Sequence, residues 1–155
     1  MLAVAVAAGC SGDDNGEDNV TRPPPATAQE GLADMKALFR DLAELVGTVA
    51  HENVGSSASF CEPPLEDLVY FGWGLRVEVT SAPTGAEALH TIEQELEARG
   101  LSFTRDARSD EVEDIRGGDG LMGMRIRGSK TTTEISIVGQ SACGPGEEYE
   151  QPTVP

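Results

Sequence analysis

Three cysteines, two histidines and a run of acids carry the reactive groups of this 155-residue chain. A serine-based triad would run through Ser56 or Ser57 with His51. The Gly-x-Ser-x-Gly turn that presents such a nucleophile is missing, so no catalytic serine is expected. His90 follows Leu89 in a helical pattern and reads as a solvated surface side chain. His51 is expected just past the first helix, favouring its negative end. Gly117-Gly118-Asp119-Gly120 is no phosphate loop, because no Gly-Lys-Ser/Thr follows it. Asp110, Glu111, Glu113, Asp114 and Asp119 lack the alternating spacing and closing Glu of a calcium loop, and read as a solvated loop. Cys61, Cys143, His51 and His90 do not make a convincing metal set. Glycoside hydrolysis by paired carboxylates needs an aromatic-lined cleft, and one Trp, two Tyr and four Phe are few for one. The expectation is no catalytic residue, no metal and no cofactor.

Charge narrows the partners. Eleven Lys and Arg stand against 27 Asp and Glu, a net charge of -16. A nucleic-acid binder needs clustered positive charge, so that class is set aside. Adhesion to anionic lipid through a basic patch is set aside for the same reason. No run of 18 apolar residues exists to span a bilayer. Between Thr27 and Pro145 there are 20 acids and 10 bases, so acidity is spread through the chain and favours solubility over one acidic site.

The elements that would position these groups follow from caps and periodicity. Thr27-x-x-Glu30 is a capping-box pattern. Leu32, Met35, Leu38, Phe39, Leu42, Leu45, Val46 and Val49 then recur every three or four residues, predicting a helix over 28–50. Residues 51–67 read as a loop. Val69, Phe71, Trp73, Leu75, Val77 and Val79 alternate with more polar residues, the pattern of a strand with one face on the core. Thr84-x-x-Glu87 opens a second helix over 85–99, with Leu89, Ile92 and Leu96 inward. Gly100 is placed to end it in a Schellman stop. Strands are expected at 101–107, 121–127 and 131–139, with an acidic loop over 109–120 and a turn at 128–130. Arg125 and Arg127 fall on one face of their strand, Met122, Met124 and Ile126 on the other. The fold class expected is α+β: two helices on one face of a mainly antiparallel four-stranded sheet, in the order α-β-α-β-β-β.

Residues 1–9 are small and apolar and end at Cys10, like the hydrophobic part of a secretory signal peptide cut short at its start. The segment Val6-Ala7-Ala8-Gly9-Cys10 resembles the lipobox of bacterial lipoproteins, with Ala7 where that family prefers Leu. The resemblance implies cleavage before Cys10 and diacylglycerol on its sulfur. Two acyl chains anchor stably where one would be marginal. Residues 10–26, with four acids and Pro23-Pro24-Pro25, read as a disordered tether, and 146–155 as a disordered acidic tail. The domain proper is thus 27–145.

Together, the lipobox, an N-terminal helix followed by a Cys, and a closing strand running Ile135 to Cys143 resemble small secreted lipoproteins of high-GC Gram-positive bacteria. The resemblance implies the outer face of the cell membrane and no assigned activity. With Cys10 given to lipid, Cys61 and Cys143 are left as a pair for a disulfide in an oxidising compartment, with two buried free thiols as the alternative. The function expected is a non-catalytic binding or interaction module, held to the membrane by Cys10 and facing an envelope protein partner. A small envelope hydrolase or a modulator of a cell-wall enzyme is the alternative. A mobile-element lipoprotein that blocks a surface receptor or the uptake of DNA is another.

Overall fold

Thr27 turns the extended chain into the first helix. Its side chain accepts a hydrogen bond from the Glu30 N–H at 3.1 Å, and Glu30 accepts one in return from the N–H of Ala26. The computed structural model describes residues 25–53, 56–62, 68–107, 109–119 and 122–146. Cys10, the expected signal peptide at 1–9, nearly all of the expected tether at 10–26 and all but the first residue of the expected tail at 146–155 lie outside them.

The first helix, α1, is Ala28–Val46. It stops four residues before the length that periodicity predicts. Gly47 leaves it in an extended conformation and enters strand β1, Gly47–Glu52. Thr48 and Val49 are β-branched and fit a strand better than a last helical turn. The Val46 carbonyl, orphaned by the stop, accepts from the N–H groups of Thr80 and Ser81. A Cβ on residue 47 would lie 2.0 Å from the Glu78 carbonyl oxygen, so only glycine permits this approach. His51 therefore sits on a strand rather than at the negative end of α1.

Strand β3, Val69–Val79, is 11 residues long, and β1 covers only part of its edge. The rest is covered by a short strand, β2, Ser57–Phe60. Helix α2, Gly85–Ala98, begins on Thr84, which accepts from the Glu87 N–H. Gly100 takes φ 73°, and the N–H groups of Leu101 and Gly100 bond back to the carbonyls of Leu96 and Glu97. That is the Schellman stop. Strands β4 (Ser102–Asp106), β5 (Val112–Gly118), β6 (Gly123–Ser129) and β7 (Glu134–Gln140) follow as successive antiparallel neighbours.

The sheet has seven strands, not four, in the spatial order β1-β3-β7-β6-β5-β4, with β2 also on β3. The expected order α-β-α-β-β-β becomes α-β-β-β-α-β-β-β-β. Three strands were concealed: β1 inside the run assigned to the first helix, β2 in a polar loop, and β5 in the acidic loop. In β5 only Ile115 turns a large apolar side chain inward, so its alternation is faint.

Both helices pack on one face, over a core of Met35, Phe39, Leu42, Leu89, Ile92 and Leu96 against Trp73, Val77, Ile115, Ile126, Ile135 and Ile137. Among the described residues, the other face of the sheet carries no helix. Cys61, after β2, and Cys143, after β7, are joined by a disulfide with their Cα atoms 6.3 Å apart. They meet because β3 and β7 are antiparallel neighbours, with Gly72 opposite Gln140 and Val69 bridged to Gly144. Among the described residues no helix is long and apolar enough to cross a membrane.

Candidate functional site

Helix α2 and one patch of the opposite sheet face differ in charge. Helix α2 carries Glu87, Glu93, Glu95 and Glu97 and no Lys or Arg. The helix-free sheet face instead gathers Arg76 from β3, Arg125 and Arg127 from β6, and Arg116 from β5. Register places them: Arg76 lies opposite Ser136, Ser136 opposite Arg127 and Arg127 opposite Asp114, while Arg116 lies opposite Arg125 in the next row. Strand spacing of about 4.8 Å puts these side chains within reach of one another.

Asp114 organises three of them. Its side chain is fully buried beneath their guanidinium groups. Arg125 donates to Oδ2 from Nε at 3.0 Å and Nη2 at 2.6 Å, and Arg127 donates to Oδ1 from Nε at 3.1 Å. Arg116 Nη2 is 3.9 Å from Oδ2. The arginines themselves stay 34–48 % exposed. Burial alone would push the Asp114 carboxyl up. The hydrogen bonds and charges of Arg125 and Arg127 outweigh it and hold the group below the usual carboxylate range.

That direction fixes a pH dependence. A pKa lower in the folded state gives stability that is present above the unfolded value, about 3.9, and lost as pH falls through the folded value. Asp114→Asn is therefore expected to lower stability at neutral pH and to flatten the acid limb below about pH 4. Urea midpoints measured across that range for both proteins check this, and parallel curves would contradict it.

Beside the cluster runs a groove of about 700 Å³, lined by Ser57, Gly72, Gly123, Arg125, Val138 and Gln140. Its floor includes two glycines, Gly72 and Gly123. Gly72, Gln140 and Gly123 form one cross-strand row, so Gln140 stands between two glycines. Gly74, Val138 and Arg125 form the next row. Val138 is left 43 % exposed there, an apolar side chain between bare backbone and a cation.

The other candidates disperse. Glu113 points to the helix side and pairs with Arg105, which also holds Glu93 of α2. Asp119 is buried and accepts from the Met122 N–H. Asp110 and Glu111 are exposed before β5. No group of three metal-ligating side chains occurs among the described residues. His90 is exposed, near Gln94 and Glu93. His51 is exposed on β1, and among the described residues no serine or cysteine is hydrogen-bonded to a histidine. Ser57 lines the groove.

Sequence reasoning placed Arg125 and Arg127 on one strand face but missed Asp114 and Arg116 beside them. The signal was there in the alternation Asp114-x-Arg116, which mirrors Arg125-x-Arg127, and in Gly72-x-Gly74 on the polar side of β3. The chain matches no protein-family model, no curated protein and no solved structure.

Proposed function

We propose that this chain is a lipid-anchored, extracytoplasmic binding module that holds its ligand on the helix-free sheet face. One observation carries the reading: a positive cluster beside an open, glycine-floored groove, on a chain whose net charge is -16. The arginines are held by the buried Asp114 yet stay 34–48 % exposed, so part of their donor capacity faces outward. The lipobox resemblance at Val6–Cys10 supplies the anchor, in keeping with actinobacterial-type secreted lipoproteins, and the Cys61–Cys143 bond fits an oxidising compartment.

Two measurements test the two parts. Cys10→Ser is expected to move the chain from the membrane fraction to the soluble or unprocessed pool, and unchanged partitioning rejects the anchor. For the face, a photo-cross-linking side chain at Gly123, where a Cβ meets nothing within 4 Å, is expected to give one reproducible added mass in intact cells. The same group at Glu97, on α2, serves as control. Equal labelling from both positions, or none from Gly123, rejects this face as the binding surface.

A further inference from the structure

The chemistry of the groove's rim narrows the ligand. Arg125 lines the groove and belongs to a cluster in which Arg116, Arg125 and Arg127 surround Asp114; with Asp106 opposite Asp114, three cations stand against two carboxylates and leave a surplus of one positive charge. The nearest further acid is Asp106, directly opposite Asp114 on β4 and about 5 Å from it, on the side of the cluster away from the groove. Glu134 is six residues from Gln140 along β7, roughly 20 Å, and pairs with Arg76; Glu78 lies opposite Glu134. Glu134 and Glu78 lie beyond the Debye length of about 8 Å at physiological salt, so they are screened from the groove.

Resting on the binding-face reading above, we infer that the groove takes a small organic oxyanion, a single carboxylate or phosphate on an uncharged body. The anionic group meets Arg125, and the body lies along Gly72, Gly123 and Val138. Arginine fits this task because its planar fork meets carboxylate or phosphate with two parallel N–H donors. Arg125 already spends Nε and one hydrogen of Nη2 on Asp114, which fixes its plane and leaves Nη1 for a ligand. Arg116, opposite Arg125 on β5, is the loosest of the three at 3.9 Å from Asp114. The open backbone at Gly123, where a Cβ would meet nothing within 4 Å, lets a flat body lie against the sheet, with the Ser57 hydroxyl over Gly72 as a polar contact at its far end. An extended polyanion fits poorly: a membrane or nucleic acid would also face the surrounding acids of a chain at -16.

The experiment uses the mature chain with amide and arginine side-chain NMR. Phenyl phosphate and benzoate are the probes, benzyl alcohol the neutral control and inorganic phosphate the bodiless one. Saturable shifts at Gly72, Gly123 and the Arg125 Nε–H are expected with at least one of the two anionic probes, and the two arms tell phosphate from carboxylate. Inorganic phosphate should bind more weakly, and benzyl alcohol should give no saturable shift. Arg125→Gln should weaken the favoured probe by about tenfold or more, and Arg125→Lys should restore it only in part. Arg76→Gln, on the same face but outside the cluster, should change it less than about twofold. Absence of saturable shifts from both anionic probes, an equal response to benzyl alcohol, or indifference to Arg125→Gln in a folded variant overturns the inference. So does cosedimentation of unlipidated chain with anionic phosphatidylglycerol vesicles that Arg125→Gln abolishes. A Gly123 cross-link obtained without any anion response would keep the binding face and reject only the oxyanion.

Discussion

Replacing both Cys61 and Cys143 by alanine is expected to cost up to about 4.5 kcal/mol of folding stability. The figure follows from the 82-residue separation the bond closes, because the cross-link restricts the unfolded chain far more than the folded one. For a domain of this size it corresponds to a fall in Tm on the order of 10–20 °C. Differential scanning calorimetry of the variant against the native protein reads it directly, and reduction of the native chain should give a similar fall. The loss should also be local in origin. Cys61 immediately follows β2, a four-residue edge strand whose one sheet partner is β3. Without the bond, amide protection at Ser57–Phe60 should drop before that of β3 or β7. Ser57 lines the groove, so the bond anchors the strand that forms one of its walls. A Tm shift of only a degree or two would mean that the unfolded chain is already held compact without the bond.

Trp73→Ala is the second large effect, with an expected loss of about 3–5 kcal/mol. The indole is only 3 % exposed and stacks on Phe39 with ring centroids 6.1 Å apart. Its Nε1–H donates to the Asn53 carbonyl at 3.2 Å, so the polar edge is satisfied as burial requires. Lys36 Nζ and the Arg40 guanidinium sit over the ring at 5.2 and 5.5 Å from its centroid, covering it with two cations from α1. Gly139, opposite Trp73 on β7, has no side chain and so makes room for the Phe39 ring. Truncation leaves a cavity that this packing cannot close. It also frees the Asn53 carbonyl at the end of β1. Trp73→Phe keeps most of the ring volume and should lose distinctly less. Denaturant midpoints check the order. The native protein's fluorescence should peak at the short wavelengths of a buried indole, and a water-like maximum would contradict the assigned face.

The amino-acid sequence by itself determined what acts within a few residues. Thr27 and Thr84 start the helices because a side-chain oxygen can reach an N–H three residues on. Gly100 ends α2 because it adopts positive φ without strain. The alternation from Val69 to Val79 assigns Trp73 to the core because successive side chains in a strand point to opposite faces. The pairing of Cys61 with Cys143 came by elimination, once the lipobox resemblance had claimed Cys10.

Tertiary structure decided the rest, because it depends on partners far away in the chain. The end of α1 at Val46 is set by the edge of β3, which draws Thr48 and Val49 into a strand despite the helical spacing of Val49. Strand β5 is concealed in its own sequence because its acids find their cations elsewhere: Glu113 on Arg105, and Asp114 on Arg125 and Arg127. The placement of β7 between β3 and β6 brings Gly72 and Gly123 into one row, although 51 residues separate them. The same placement gathers four arginines on one face. A net charge of -16 is a sum over the whole chain and cannot show the sign of one patch. Charges interact across strands about 4.8 Å apart and are screened beyond about 8 Å, so register, not composition, determines where this acidic protein is positive.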